Sequence, residues 1–331
     1  MESEFKNIGF DKYFYAKGIR SIAGQFSQNN RCGIYILHFE NGEYYVGLAI
    51  DVVNRYAQHR QNHLDIEFIS FKEVAKSKLP EIERETVYEL ENRKKELRNI
   101  NIVSIIIGET DLDLIVSKEE QGKWINYELP FESLTTKRFE YPEHRKRYTK
   151  KFEQLKSNPL FENCCDILQH YIYFTIPYPK KTEYSFWCCS CLPSTDNALI
   201  RVNIFWQETL NIFEEEFEYE ENRIVKKEKG LSIAIWLSKS KLFETYTETE
   251  LLEKYKTLSI GNVVYKSGGQ DQQQLIIDDI EFLDFLYDRP ISDAIKDFNL
   301  RLLRKGGCIF NRYHSFDLAD EAVRTDNLIP E

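Results

Sequence analysis

Along the chain the apolar positions change their spacing several times, and each change marks an element. Residues 34–39 and 44–48 are short runs rich in Ile, Tyr, Leu, Phe and Val, separated by Glu40-Asn41-Gly42-Glu43. Two such runs across an Asn-Gly pair predict a β-hairpin. A helix is expected to run through Val52, Val53 and Tyr56 to about residue 62, because Asp51 in front of it can accept from the exposed amides of a first turn. A strand over 67–74 follows. A second helix is expected from about 80 to 97. Pro80 suits its first turn, where a missing amide costs nothing, and Ile82, Thr86 and Leu90 recur every four residues on what should be its core face. Residues 101–108 read as a buried strand closing the unit. Residues 1–31 read as an aromatic-rich, partly helical lead-in rather than a domain.

Beyond residue 110 the spacing is less regular. Residues 111–160 read as an acid-rich then basic linker. Residues 161–331 show β-rich runs at 171–176, 184–191, 198–205 and 231–237 and a late helix over 280–304. The expectation is an α/β (α+β) protein, with a small sheet flanked by helices at 32–110 and a larger α+β domain at 161–331. The length of 331 residues also favours two domains over one. No repeat or low-complexity segment stands out.

The hairpin carries a geometric condition. Side chains alternate across a strand, so the turn decides which residues share a face. A two-residue turn at Asn41-Gly42 sends Tyr35 and Tyr45 to opposite faces. A three-residue loop, Glu40-Asn41-Gly42, with Gly42 left-handed in a G1 bulge, returns both phenols to one face. The second turn is predicted.

Composition narrows the class. An apolar fraction of 42% with 30% charged residues is that of a folded globular protein and excludes a disordered one. No apolar run approaches the roughly 18 to 20 residues of a membrane span. The first six residues carry two glutamates and one lysine, which predicts no secretory leader and hence a cytoplasmic location. Seven cysteines in that compartment are expected to be reduced thiols. The net charge is −10, so any polyanion must be met by a local basic patch, since charges act over a Debye length of about 8 Å. Residues 137–156 supply one, with eight Lys or Arg against three Glu. A solvated linker helix and a nucleic-acid contact are equal readings of it.

Specific chemistry enters at Gly33-Ile34-Tyr35 and Tyr45-Val46-Gly47. Arg55 lies ten residues after Tyr45 and His59 four further on, which puts both on one helical face. Downstream come Glu83-Arg84-Glu85 and Leu97-Arg98-Asn99. This order and spacing over about 32–101 resembles the GIY-YIG endonuclease family. The resemblance implies a small mixed sheet flanked by helices and cleavage of nucleic-acid phosphodiesters with one Mg²⁺ or Mn²⁺. It implies catalytic roles for Tyr35, Tyr45, Arg55, His59, Glu85 and Asn99. DNA is the expected partner, with RNA open, and the C-terminal region is expected to select a target, a protein partner or an oligomer.

The residue types suit those roles. Glu85 is the expected metal ligand, because a hard cation takes one or two carboxylates and otherwise keeps water and phosphate oxygens. Arg55 offers a planar donor fork for non-bridging oxygens. His59 titrates near neutrality when unperturbed and can take a proton from Tyr35 or from the attacking water. Tyr45 would position water or phosphate, and which tyrosine relays the proton is left open. Asn99 would brace the site, with Asn101 as its neighbour of similar type. Gly33 and Gly47 read as packing glycines, and His38 and His63 have no assigned role.

Other features read more plainly. Glu81 and Glu83 fit a charged first turn favoured by the helix dipole. Cys188-Cys189-Ser190-Cys191, with Cys164-Cys165 and His170, lacks the two-to-four-residue pairing of structural zinc sites and reads as buried thiols. Ser267-Gly268-Gly269-Gln270 lacks the lysine of a phosphate loop and reads as a flexible surface loop. Asp278, Asp279, Glu281, Asp284 and Asp288 read as the acidic start of a helix, and Tyr313-His314-Ser315 as a segment without a partner. Two rivals stand beside the nuclease: a module that keeps the fold but only binds, and a nuclease gated by a C-terminal sensor in a defence or regulatory role.

Overall fold

The computed structural model describes residues 2–128, 138, 141–194, 197–221 and 224–324. The chain divides into two compact units, Met1–Ile107 and Gly108–Glu331.

The first unit runs α1 (Glu2–Lys6), β1 (Lys12–Tyr15), β2 (Gly33–Phe39), β3 (Tyr44–Ala49), α2 (Val52–Asn62), β4 (Ile66–Glu73) and α3 (Leu79–Asn92). Its sheet has the order β1-β4-β2-β3. All three strand pairs are antiparallel, where a mixed sheet was expected. The parallel element is an isolated bridge, Tyr44 to Leu97, on the outer side of β3.

The lead-in is part of this unit. β1 extends the sheet alongside β4 with Tyr13 stacked on Phe68, ring centroids 5.0 Å apart, and Phe5 and Phe10 are buried in the core.

The hairpin turn is the three-residue one. Gly42 has φ +86°; its amide donates to Phe39 O at 3.0 Å and the Phe39 amide donates to Glu43 O at 2.9 Å. Tyr35 then pairs with Gly47 and Leu37 with Tyr45, so both phenols share a face. On that face Tyr35, Leu37 and Phe39 pack with Val52 and Tyr56 of α2. On the other, Ile34, Ile36 and Val46 pack with Leu79, Val87 and Leu90 of α3.

Two boundaries differ from expectation for local reasons. α3 stops at Asn92 rather than 97 because Lys94 turns left-handed (φ +59°) and the Lys94 and Lys95 amides fold back onto Glu91 O and Leu90 O, a Schellman closure. Residues 101–108 form no strand. The Ile102 and Val103 amides donate to Asn99 O, and those of Ser104 and Ile105 to the Glu91 carboxylate, so this backbone finds partners without a ladder.

The second unit contains α4 (Lys118–Ile125), α5 (Thr149–Lys156), α6 (Phe161–Thr175), α7 (Pro179–Thr182), β5 (Trp187–Cys191), β6 (Ala198–Ile204), β7 (Gln207–Glu221), β8 (Ile224–Leu237), α8 (Lys239–Phe243), α9 (Glu248–Lys254), β9 (Ser259–Gly261), β10 (Gln273–Asp278), α10 (Asp279–Tyr287), α11 (Arg289–Arg304) and α12 (Phe316–Ala322). An antiparallel sheet of order β5-β6-β7-β8-β10-β9 shares one large apolar core with the helices.

Several expectations are corrected here. Of residues 111–160, expected as a linker, Leu112, Val116, Phe152 and Leu155 belong to that core. Residues 171–176, expected as a strand, are mostly the last turns of α6, whose buried positions Cys164, Ile167, Leu168, Tyr171, Ile172 and Thr175 keep a helical spacing. The late helix is two, α10 and α11, separated at an extended Asp288 with Pro290 in the new first turn. Ser267 and Gly268 are buried in a 3-10 turn, Lys266–Gly268, rather than in an exposed loop. Lys137 of the basic stretch lies outside the described residues. Among the described residues, no helix is long and apolar enough to cross a membrane.

Candidate active site

The amino-acid order around Asp51 explains how the site is assembled. Asp51 accepts from the amides of Val53 (2.9 Å) and Asn54 (3.1 Å), which starts α2 directly after β3. Arg55 and His59, one turn apart on that helix, are thereby held beside the sheet face that carries Tyr35 and Tyr45. These four residues meet. The Tyr35 hydroxyl is 2.7 Å from His59 Nε2, and Arg55 Nε donates to the same phenol oxygen at 3.3 Å. The Tyr45 ring lies 4.9 Å from the His59 ring and 6.3 Å from that of Tyr35, centroid to centroid.

Gly47 makes the crossing of β3 possible. A Cβ there would stand 2.3 Å from the Tyr35 phenol oxygen, so only a residue without a side chain lets that ring lie over the strand. Gly33 is constrained otherwise: a Cβ would meet Lys72 O at 2.1 Å.

A cavity of about 420 Å³ opens over this group, lined by Tyr35, Tyr45, Asp51, Arg55 and Glu83 among others. The carboxylate it contains from α3 is that of Glu83, which is buried. Glu85, the carboxylate chosen from the sequence, is exposed and does not line the cavity. Two positions along an α-helix are about 200° apart in azimuth, so the two side chains leave α3 on different sides. A signal for Glu83 was present in the sequence: it falls in phase with Leu79, Thr86, Val87 and Leu90, the buried side of α3, whereas Glu85 is out of phase.

Asn99 stands outside the cavity and is buried. Its Oδ1 accepts from the Val46 amide at 2.9 Å and its Nδ2 donates to Val46 O at 2.7 Å, so it holds β3 beside Tyr45 as a neighbouring strand would. Asn101 is exposed. Of the unassigned histidines, His38 is a core residue 2.8 Å from Ser70 Oγ, and His63 stacks on His59 with centroids 5.9 Å apart.

Burial sets the protonation states. It lowers His59 to about 4, helped by the Arg55 charge and by His63, so the imidazole is neutral at pH 7. Burial, then Tyr45, holds the Tyr35 phenol well above its ordinary value despite Arg55. With the imidazole proton on Nδ1, the Tyr35 hydroxyl is the donor to His59 Nε2 while its oxygen accepts from Arg55. The group is a protonated phenol sharing a hydrogen bond with a neutral imidazole, with a guanidinium alongside, in an open cavity.

Elsewhere, Tyr313-His314-Ser315 has partners the sequence did not reveal. His314 Nε2 is 2.9 Å from Glu183 Oε1 and its Nδ1 accepts from the Cys189 amide at 3.1 Å. Arg138 pairs with Glu183 and Asp320, and Arg145 with Asp320, so part of the basic stretch is already neutralised. Cys188, Cys189 and Cys191 are buried on β5. Among the described residues no three His, Cys, Asp or Glu converge as a metal cluster. No family model, curated protein or solved structure matches the chain.

Proposed function

We propose that the first unit is a phosphodiester hydrolase acting on nucleic acid, DNA in the first instance. Within that class, we infer an endonuclease of the GIY-YIG type. The observation that carries the reading is the 2.7 Å contact between the Tyr35 hydroxyl and His59 Nε2 with Arg55 Nε on the same phenol oxygen.

That contact forms a two-step proton path. An attacking water gives its proton to the Tyr35 oxygen while Tyr35 passes its own to neutral His59. The water oxygen bonds to phosphorus as the P–O3′ bond breaks; its electron pair goes to the 3′ oxygen, which takes a proton from solvent, and His59 returns its proton to solvent. Arg55 lines the cavity, with its Nη1 donating to Gln58 Oε1 at 2.9 Å, and a guanidinium already in place stabilises the charge that non-bridging oxygens gain. Tyr45 closes the other side of His59 and orients the water or phosphate.

Glu83 is the residue suited to hold Mg²⁺ or Mn²⁺, a cation that asks for few carboxylates and keeps water and phosphate oxygens. Bound there, the ion would neutralise the scissile phosphate and the departing oxygen.

The test is nicking of supercoiled plasmid, alongside a labelled RNA of the same sequence, with Mg²⁺ or Mn²⁺. Cleavage should be lost, by about a hundredfold or more, in Arg55→Ala and Glu83→Gln, and kept in Glu85→Gln. Absence of cleavage of either polymer in both metals, or loss in Glu85→Gln with Glu83→Gln active, would defeat the assignment.

A further inference from the structure

The second unit has a cavity of its own that the hydrolase reading does not use. The face of β5, β6 and β7 turned away from the apolar core carries Ser190, Arg201, Asn203 and Glu208, and Gln207, at the start of β7, also lines the cavity. Asn203 is 6% and Gln207 1% exposed. Burying a side-chain amide costs free energy unless it finds a partner; Gln207 has one in Ser267, and the Asn203 side chain belongs to the cavity lining.

They form the floor of a cavity of about 430 Å³, within the range of small-molecule sites. Its walls are aromatic: Tyr148, Trp206, Tyr265, Phe310 and Tyr313. The floor is also fixed in place. Arg201 Nε lies 2.8 Å from both Asn211 Oδ1 and Glu208 Oε2, the Tyr265 hydroxyl bonds Glu208, and Gln207 Oε1 accepts from Ser267 Oγ at 2.9 Å.

Cations stand at the cavity edge. Lys151 lines the cavity, its Nζ donating to Leu192 O at 2.6 Å, and Arg147 and Arg312, next in sequence to the wall residues Tyr148 and Tyr313, are exposed. The Tyr148 hydroxyl and Arg147 donate to Arg312 O at 3.0 and 3.5 Å, which ties the basic segment to the loop bearing Tyr313.

We propose that this cavity binds the nucleobase of a nucleotide, the ring stacked among the aromatic side chains, its polar edge read by the amide and guanidinium floor, and its phosphate met at the cationic rim. Aromatic faces accept any base by stacking, and amide or guanidinium groups pair with base edges bidentately. A purely aliphatic ligand would leave the floor unmatched. The base has two sources, a free nucleotide or a base unstacked from a strand, and the chemistry of the cavity is the same for both.

The test uses the full chain in EDTA, so that it stands apart from any cleavage. Equilibrium dialysis against the ribonucleoside and deoxyribonucleoside monophosphates forms one arm. Anisotropy of a fluorescein-labelled single-stranded DNA, intact or with its bases replaced by abasic residues, forms the other. Saturable binding of a monophosphate assigns the free nucleotide. Binding of the strand that weakens at least tenfold in the abasic version assigns a base drawn from it. In either case Trp206→Ala and Asn203→Ala should weaken binding tenfold or more, and Leu114→Ala, on a side chain exposed elsewhere in the unit, should not. Trp206 sits at a turn and is 45% exposed, so its replacement spares the fold even where that of Asn203 does not; thermal unfolding of each variant checks this. Absence of binding in both arms, or binding that Trp206→Ala leaves unchanged, overturns the proposal.

Discussion

At the scale of single residues, the site depends on one missing side chain and one neutral ring. Gly47→Ala places a methyl 2.3 Å from the Tyr35 phenol oxygen, so that ring must move. A displacement of about 1 Å at a reacting group costs on the order of a hundredfold in rate. Plasmid nicking should therefore drop by about that factor, with overpacking of about 1–3 kcal/mol in urea unfolding. His59 makes a prediction about pH. Its folded value of about 4 lies below the ordinary 6.5, so between the two the unfolded chain binds the extra proton. Its contribution to stability is complete above pH 6.5 and is lost as pH falls toward 4, and His38, lowered to about 3 by burial and then by Lys95, acts in the same sense. The acid limb of the cleavage rate should accordingly fall near pH 4 to 5 instead of 6.5. A limb centred at 6.5 would mean that the imidazole is hydrated as in a free peptide. The two tyrosines, Arg55 and His59 were picked out by the family resemblance; that the phenols share a sheet face and Arg55 and His59 a helical one was readable from spacing, because strand and helix periods are fixed by backbone geometry. That Glu83 is the carboxylate lining the cavity was not read, because three alternating glutamates look alike until the phase of the buried stripe is followed through α3.

Elements show which parts of the fold the sequence announces. The 42–47 register, the Asp51 cap and the start of α3 at a proline are local, and local chemistry determines them. Asp51→Ala should cost about 1 kcal/mol, measured by thermal unfolding. What was hidden is non-local. The 101–108 backbone is held by a carboxylate of α3, β1 belongs to a sheet whose other strands lie far ahead in sequence, and residues 171–176 have strand-forming side chains but complete a helix because Tyr171 and Ile172 continue its buried stripe. Asn99 is the sharpest such case, being remote in sequence yet bonded at both ends to Val46. Asn99→Ala leaves a buried amide and carbonyl unpaired, at about 1–3 kcal/mol each. Amide exchange at Val46 should accelerate by the corresponding factor, and unchanged exchange would show that water replaces the side chain.

For the whole molecule, each unit has its own apolar core. Leu90→Ala and Leu168→Ala each open a cavity costing about 2–5 kcal/mol; hydrogen exchange should rise around α3 in the first variant and around α6 in the second. In the larger unit buried Glu183 anchors a polar set: it pairs with Arg138 and lies beside His314, whose imidazole burial keeps neutral, while Arg138 and Arg145 pair with the partly exposed Asp320. Removing one member strands the others, so Glu183→Gln should cost several kcal/mol in chemical denaturation, more than any exposed ion pair. The Asn99 amide has a last consequence beyond stability. With Tyr44 bonded to Glu96 and Arg98 and Val46 to Asn99, the outermost strand of the small sheet presents few unsatisfied groups to another chain. Without that seal it becomes a template for strands of neighbouring molecules, and the first sign of a damaged Asn99 would be concentration-dependent aggregation during expression.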